Sequence, residues 1–163
     1  MLPVKLIKQL NHQDIPKTDD SILIQSLNQE PKPVDWRDLH HQVFSPQSES
    51  GWTGKRFDSE FLMKDWWNPE TMWFSIDATT NQISGSITLE LSSKNPELGI
   101  VHWLMVAPNF RRQGIALALL AKLEEYAIDH GATELQAETL SSWEDAMAFY
   151  LRQGFTKPVT RKK

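Results

Sequence analysis

The chain has 163 residues, 40% of them hydrophobic, a formal charge of −4 and a pI of about 5.7. That length fits one domain with a substantial core, and the acidic balance argues against a nucleic-acid or anionic-membrane binder. With no cysteine, disulfides, thiolate metal sites and a cysteine nucleophile are excluded, and no metal site is expected.

Met1 to Leu10 carries two lysines and no long apolar run. It does not read as a signal peptide, and no stretch approaches transmembrane length, so a cytoplasmic protein is expected. Pro3 to Leu10 could form a strand, followed by polar loop from Asn11 to Asp20. Residues 1–20 are read as an N-terminal extension or edge strand, and residues 21–163 as one domain. Ser21 to Leu27 reads as a strand, broken by Pro31 to Pro33. Trp36, Leu39, His40 and Val43 recur at helical spacing within Val34 to Phe44, with Asp35 near the start. Ser45 to Gly51 is loop, and Thr53 to Lys64 a second helix with Phe57, Phe61 and Leu62 on one side. Met72 to Asp77 and Gln82 to Leu91 alternate as strands around the turn Ala78 to Asn81. Gly85 inside the second of them predicts a bulge or a close backbone approach. Ser92 to Gly99 reads as a turn, and Ile100 to Val106 as the third strand of a meander.

Gly114 to His130 is the strongest helix. Ala116, Leu119, Leu120, Leu123, Tyr126 and Ala127 form its apolar stripe, and Gly131 suits its C′ position. Thr133 to Thr139 is a strand, and Ser141 with Glu144 predicts a capping box for a last helix ending at Gly154. Strand, helix, strand from Ile100 to Thr139 is a crossover, which makes those two strands parallel. The fold class is therefore α+β, a mixed sheet with an antiparallel meander, one parallel crossover strand and helices on both faces.

Between the third meander strand and the long helix stands Arg111-Arg112-Gln113-Gly114-Ile115-Ala116. A loop opening a helix presents backbone N–H groups and the positive end of the helix dipole, so it holds an anion. Two arginines add charge, and the segment reads as a pyrophosphate cradle. Seven tryptophans point to a bulky core or a lined pocket, with core the commoner fate of aromatics.

From Ile22 to Phe155 this order of elements resembles the GNAT superfamily of N-acetyltransferases. The family's acyl-CoA loop, Arg/Gln-x-x-Gly-x-Gly/Ala, corresponds to Arg111, Gly114 and Ala116. Ala146-Met147-Ala148-Phe149-Tyr150-Leu151-Arg152-Gln153-Gly154-Phe155 resembles its Ala-x-x-x-Tyr-x-x-x-Gly-Phe ending. Ser50-Gly51-Trp52-Thr53 and Trp66 to Trp73 are loosely similar to stretches of the mycothiol synthase group, whose enzymes carry two such units. That group tends to have an acidic residue where this chain has Ile100.

The resemblance implies acetyl-CoA as cosubstrate. Leu104, Met105 and Val106 would offer backbone groups to the pantetheine arm and thioester, and Arg111, Arg112, Gln113, Gly114, Ile115 and Ala116 would hold the pyrophosphate. Trp143 stands where relatives place an asparagine that meets the pantetheine. Tyr150 is the implied general acid, because a tyrosine is protonated at neutral pH and can supply the departing thiolate. A carboxylate base is missing at Ile100, leaving His102, Glu138 or a water chain. Histidine is suited to the role by titrating near neutrality. Trp52, Trp66 and Trp73 could line the acceptor pocket and bind a cation through their ring faces.

The leading expectation is acetyl transfer to a primary amine of a small molecule or peptide by direct attack, a ping-pong thiolate route being disfavoured. A second is an acyl-CoA-binding module without chemistry. A third, a doubly wound dinucleotide binder, needs several parallel strands, which the meander disfavours. Only eight residues follow Phe155, where most GNAT folds add two strands. The sheet is then truncated, or Pro3 to Leu10 fills an edge, or a homodimer completes it through that edge.

Overall fold

The computed structural model describes residues 3–44 and 51–158; the expected loop from Ser45 and the Ser50 end of the Trp52 motif lie outside them. A six-stranded mixed sheet organises the chain. Its strands are β1 (Pro3–Gln9), β2 (Leu23–Ser26), β3 (Met72–Ile76), β4 (Ile83–Ser92), β5 (Asn95–Val106) and β6 (Glu134–Leu140). Their spatial order is β1-β6-β5-β4-β3-β2. β5 and β6 are parallel and every other neighbouring pair is antiparallel. This arrangement is not the parallel sheet of a doubly wound fold.

Helix α3 (Ile115–Asp129) covers one face of the sheet, and α1 (Pro33–Phe44) with the short α2 (Gly54–Phe57) covers the other. Alternation along β3 decides which residue meets which layer. Trp73 joins Leu119, Leu120, Leu123 and Ala127 of α3, whereas Met72 and Phe74 join Trp36, Leu39 and Phe57. Tyr150 of α4 (Glu144–Arg152) and Phe155 belong to the α3-side cluster. Each fully buried aliphatic side chain stabilises the fold by roughly 1.5–3 kcal/mol.

β1 pairs with β6 from Pro3↔Leu140 to Gln9↔Glu134. Its other side is met by Thr156, which exchanges two 2.8 Å backbone hydrogen bonds with Ile7. A buried ion pair, Lys8 with Glu124, ties this strand to α3. Burial pushes the Glu124 carboxyl up, against the pull of Lys8. Removing one partner of such a pair strands a charge in the interior at a cost of about 3–5 kcal/mol.

Three expectations are corrected, and the two alternatives for Gly85 are resolved. The helix expected over Thr53 to Lys64 is the single turn α2, capped by the Thr53 hydroxyl accepting from Arg56 N–H, followed by a π-turn over Asp58–Leu62. The third meander strand begins at Asn95, not Ile100, because Asn95 already pairs with Ser92 across a tight turn. Ser141 and Glu144 form no capping box. The Trp143 N–H bonds the Leu140 carbonyl, so a turn uses up the segment holding Ser141 and α4 starts with Trp143 as its N-cap, without a side-chain cap. Gly85 is a close approach, since a Cβ there would stand 2.8 Å from the Met105 carbonyl oxygen.

Candidate functional site

β5 and β6 pair through Leu98↔Glu134, Gly99↔Leu135, Ile100↔Gln136 and Val101↔Ala137, and then part. The cause lies on the other side of β5. Its register with β4 jumps from Thr88↔His102 to Ser86↔Met105, so Trp103 and Leu104 together oppose Ile87. Such a bulge bends the strand and leaves the backbone groups of the extra residue outside the ladder. Trp103 has φ +49°, a costly conformation for a bulky residue that only over-determined surroundings sustain. Here the surroundings are aromatic. His40, Phe44, Trp52 and Trp36 place their rings 4.8, 5.4, 5.5 and 6.1 Å from that of Trp103.

The gap is a cavity of about 1000 Å³. At one side it meets the loop between β5 and α3. Arg112 (φ +63°) and Gly114 (φ +78°) are both left-handed, and Gly114 caps α3 without a side-chain hydrogen bond. The first N–H groups of a helix lack intrahelical partners, and successive backbone N–H groups in such a turn form an anion-binding concavity. Nothing lies within 4 Å of where a Cβ on Gly114 would stand, so the backbone conformation, and not crowding by protein, calls for glycine there. Arg111, Arg112 and Arg152 line the same cavity, and the Arg111 side chain also donates to the Val106 carbonyl at 3.4 Å.

Further along, Tyr150 lines the cavity from α4 and is 6% exposed. Burial raises its hydroxyl well above the ordinary tyrosine range, so it stays protonated at neutral pH. His102 and Glu138 follow Val101 and Ala137, the last residues that pair β5 with β6. Both line the cavity, as do Ile100 and Glu60. His102 Nε2 lies 2.8 Å from Glu90 Oε1, and its ring stacks on Trp66 with centroids 5.2 Å apart and planes 7° from parallel. Trp143, 40% exposed, lines the cavity and meets Phe44 at 5.5 Å. Among the described residues no group of three His, Asp or Glu could hold a metal ion, and no helix is long and apolar enough to cross a membrane.

The cavity thus brings together His102, Leu104, Val106, Arg111, Arg112, Gly114, Ile115, Ala116, Glu138, Trp143 and Tyr150. Gln113 is exposed outside the lining, and Met105 is buried in the α1-side core. The expectation that Trp52 and Trp73 line the pocket is corrected. Trp52 is wedged 4.9 Å from Trp36 under the Arg56 guanidinium, and Trp73 faces α3 beside Tyr126. Trp66 does not line the cavity but backs His102. Sequence reasoning missed Phe149 and Ala146, which precede Tyr150 by one residue and by one helical turn, and Glu90. The signal for Glu90 is diagonal cross-strand placement. It pairs with Ile100, two residues before His102, and such diagonal neighbours are within reach of long side chains.

A model of the acetyltransferase (GNAT) family matches residues 34–155. Rat N-acetyltransferase 8F1 is 35% identical over 92 residues, a stretch that takes in 54% of this chain and 41% of that protein. A GCN5-related N-acetyltransferase of Sphaerobacter thermophilus superposes with a TM-score of 0.77 at 18% identity, over 96% of this chain and 48% of that one. The ribosomal-protein-S18-alanine N-acetyltransferase of Escherichia coli superposes with a TM-score of 0.65 at 19% identity, over 86% and 81%. The chain spans less than half the length of the first two, and identities this low in the solved structures speak for the fold alone.

Proposed function

The chain belongs to the acetyltransferase (GNAT) family, and from that membership we propose that it moves an acetyl group from acetyl-CoA to a primary amine of a small molecule or peptide by direct attack. One observation carries this reading. A single cavity joins an arginine-flanked anion cradle to a protonated tyrosine and a histidine. The cradle suits a pyrophosphate, whose charge the helix end and Arg111 and Arg112 would offset. Leu104 and Val106 would run beside the pantetheine arm. A backbone N–H at the bulge would stabilise the oxyanion of the tetrahedral intermediate. As the carbon–nitrogen bond forms, the carbon–sulfur bond breaks. The departing sulfur keeps the electron pair and takes the Tyr150 proton, which the attacking nitrogen's surplus proton replaces through water. Glu60 and Glu138 at the cavity wall favour a cationic acceptor.

The test is thermal unfolding with acetyl-CoA, CoA and NAD at matched concentrations. A ligand at a hundred times its Kd stabilises the native state by about 2.7 kcal/mol. Both CoA species should raise the Tm and NAD should not. A rise with NAD alone would overturn the assignment of the cradle.

A further inference from the structure

Resting on the transferase reading, we propose that Glu90 is a positioning residue for His102, and that the pair, clamped by Trp66, takes the proton from the acceptor's ammonium group. An ammonium nitrogen has no free electron pair, so one proton must leave before attack. Besides Asp145 on α4, three carboxylate or imidazole side chains line the cavity: Glu60, His102 and Glu138. Glu60 and Glu138 are exposed and, among the described residues, accept no hydrogen bond. Ile100, the neighbouring cavity-lining residue of β5, offers no proton acceptor.

His102 alone of the three is held from two directions. An ionised carboxylate only accepts hydrogen bonds, so the 2.8 Å contact with Glu90 places the ring proton on Nε2. The lone pair, and with it the basicity, is then on Nδ1. Trp66 stacks nearly parallel to the imidazole at 5.2 Å and fixes the ring plane. Glu90 is outside the cavity lining, so it acts through His102 and does not touch the acceptor. In the step itself, an N–H bond of the ammonium breaks, its electron pair stays on nitrogen, and the proton joins Nδ1 to give imidazolium. The neutral amine attacks the thioester, and His102 returns its proton to solvent after product release.

The test uses Glu90→Gln and His102→Gln in the full chain, with ethanolamine, spermidine and a lysine-bearing tetrapeptide as acceptors. Thermal melts with acetyl-CoA first establish that both variants fold and bind it. Imidazole 15N NMR, with the ring assigned by its loss in H102Q, should show the ring proton on Nε2 in the wild type and redistributed between the two nitrogens in E90Q. In E90Q kcat for the amines should fall roughly tenfold. H102Q should lose about a hundredfold or more in rate, and KM for acetyl-CoA should stay unchanged in both. An unchanged tautomer in E90Q, or a wild-type rate in H102Q, overturns the role of the pair while transfer by the wild type stands. If wild type binds acetyl-CoA yet acetylates none of the acceptors, the transferase reading itself falls and the role falls with it.

Discussion

Replacing Tyr150 with Phe should lower kcat by about 10²–10⁴ while leaving acetyl-CoA affinity within about twofold of wild type. The substitution removes one hydroxyl from a ring packed against Phe149 and Phe155, at 5.7 and 5.1 Å. A phenylalanine keeps those contacts and the shape of the cavity wall. What it loses is the proton. Burial holds the Tyr150 hydroxyl protonated beyond the ordinary tyrosine range, so the donor is present across the whole neutral and mildly alkaline interval. Loss of transfer should therefore be uniform with pH from about 6 to 9, because an ordinary tyrosine titrates only near 10 and this one higher still. Steady-state rates with acetyl-CoA binding measured by calorimetry would decide it. A Y150F enzyme turning over within threefold of wild type would remove Tyr150 from the mechanism and leave solvent as the acid.

Acid should unfold this protein early, and His40 should be a principal reason. The residue is 6% exposed and sits among the rings of Trp36, Trp52, Phe44 and Trp103. Neither ring nitrogen has a hydrogen-bond partner among the described residues. Burial, with the charges of Arg56 and His41, lowers its pKa from 6.5 to about 4. The unfolded chain therefore binds a proton at this site between pH 6.5 and 4 that the folded chain refuses. Stability is complete above pH 6.5 and falls as the pH drops through that window. At about 1.4 kcal/mol per pH unit, the loss reaches about 3 kcal/mol by pH 4. His40→Phe should abolish this component, since the ring shape is kept and no buried nitrogen remains unpaired. Urea unfolding of both proteins from pH 8 to 4 separates it from the carboxylates, which titrate in both. Parallel pH profiles for wild type and H40F would contradict the assignment. His40 also packs on Trp103, so its protonation would load the bulge that opens the cleft.

What the sequence discloses here is local, and what it conceals is set at a distance. The anion loop is legible because its arginines, glycine and helix start fall within six consecutive residues. Tyr150 is legible because Gly154 and Phe155 follow it at fixed spacing on one helix end. The crossover from β5 to β6 follows from element order alone. Glu90 and His102, by contrast, meet only through the register of β4 on β5. That register depends on the tight turn at Ser92–Asn95 and on the bulge at Trp103, neither of which has a glycine or proline to mark it. The tryptophans show the same limit. Composition cannot distinguish Trp66, which backs the candidate base from a turn, from Trp73 of β3, where strand alternation turns the ring toward α3. The edge place of β1 was one of three ways to end the sheet, and long-range pairing with Leu140 to Glu134 is not visible in a seven-residue segment.

Amine acetylation in this cavity is open to direct measurement. The measurement that meets it most directly is incubation of the wild-type chain with acetyl-CoA and a panel of primary amines, following free CoA thiol and the mass of each amine together. Thiol release should depend on both enzyme and amine and be matched mole for mole by N-acetylated product. Tight acetyl-CoA binding with no amine-dependent thiol release across the panel would contradict it and leave a binding module in the shape of an enzyme.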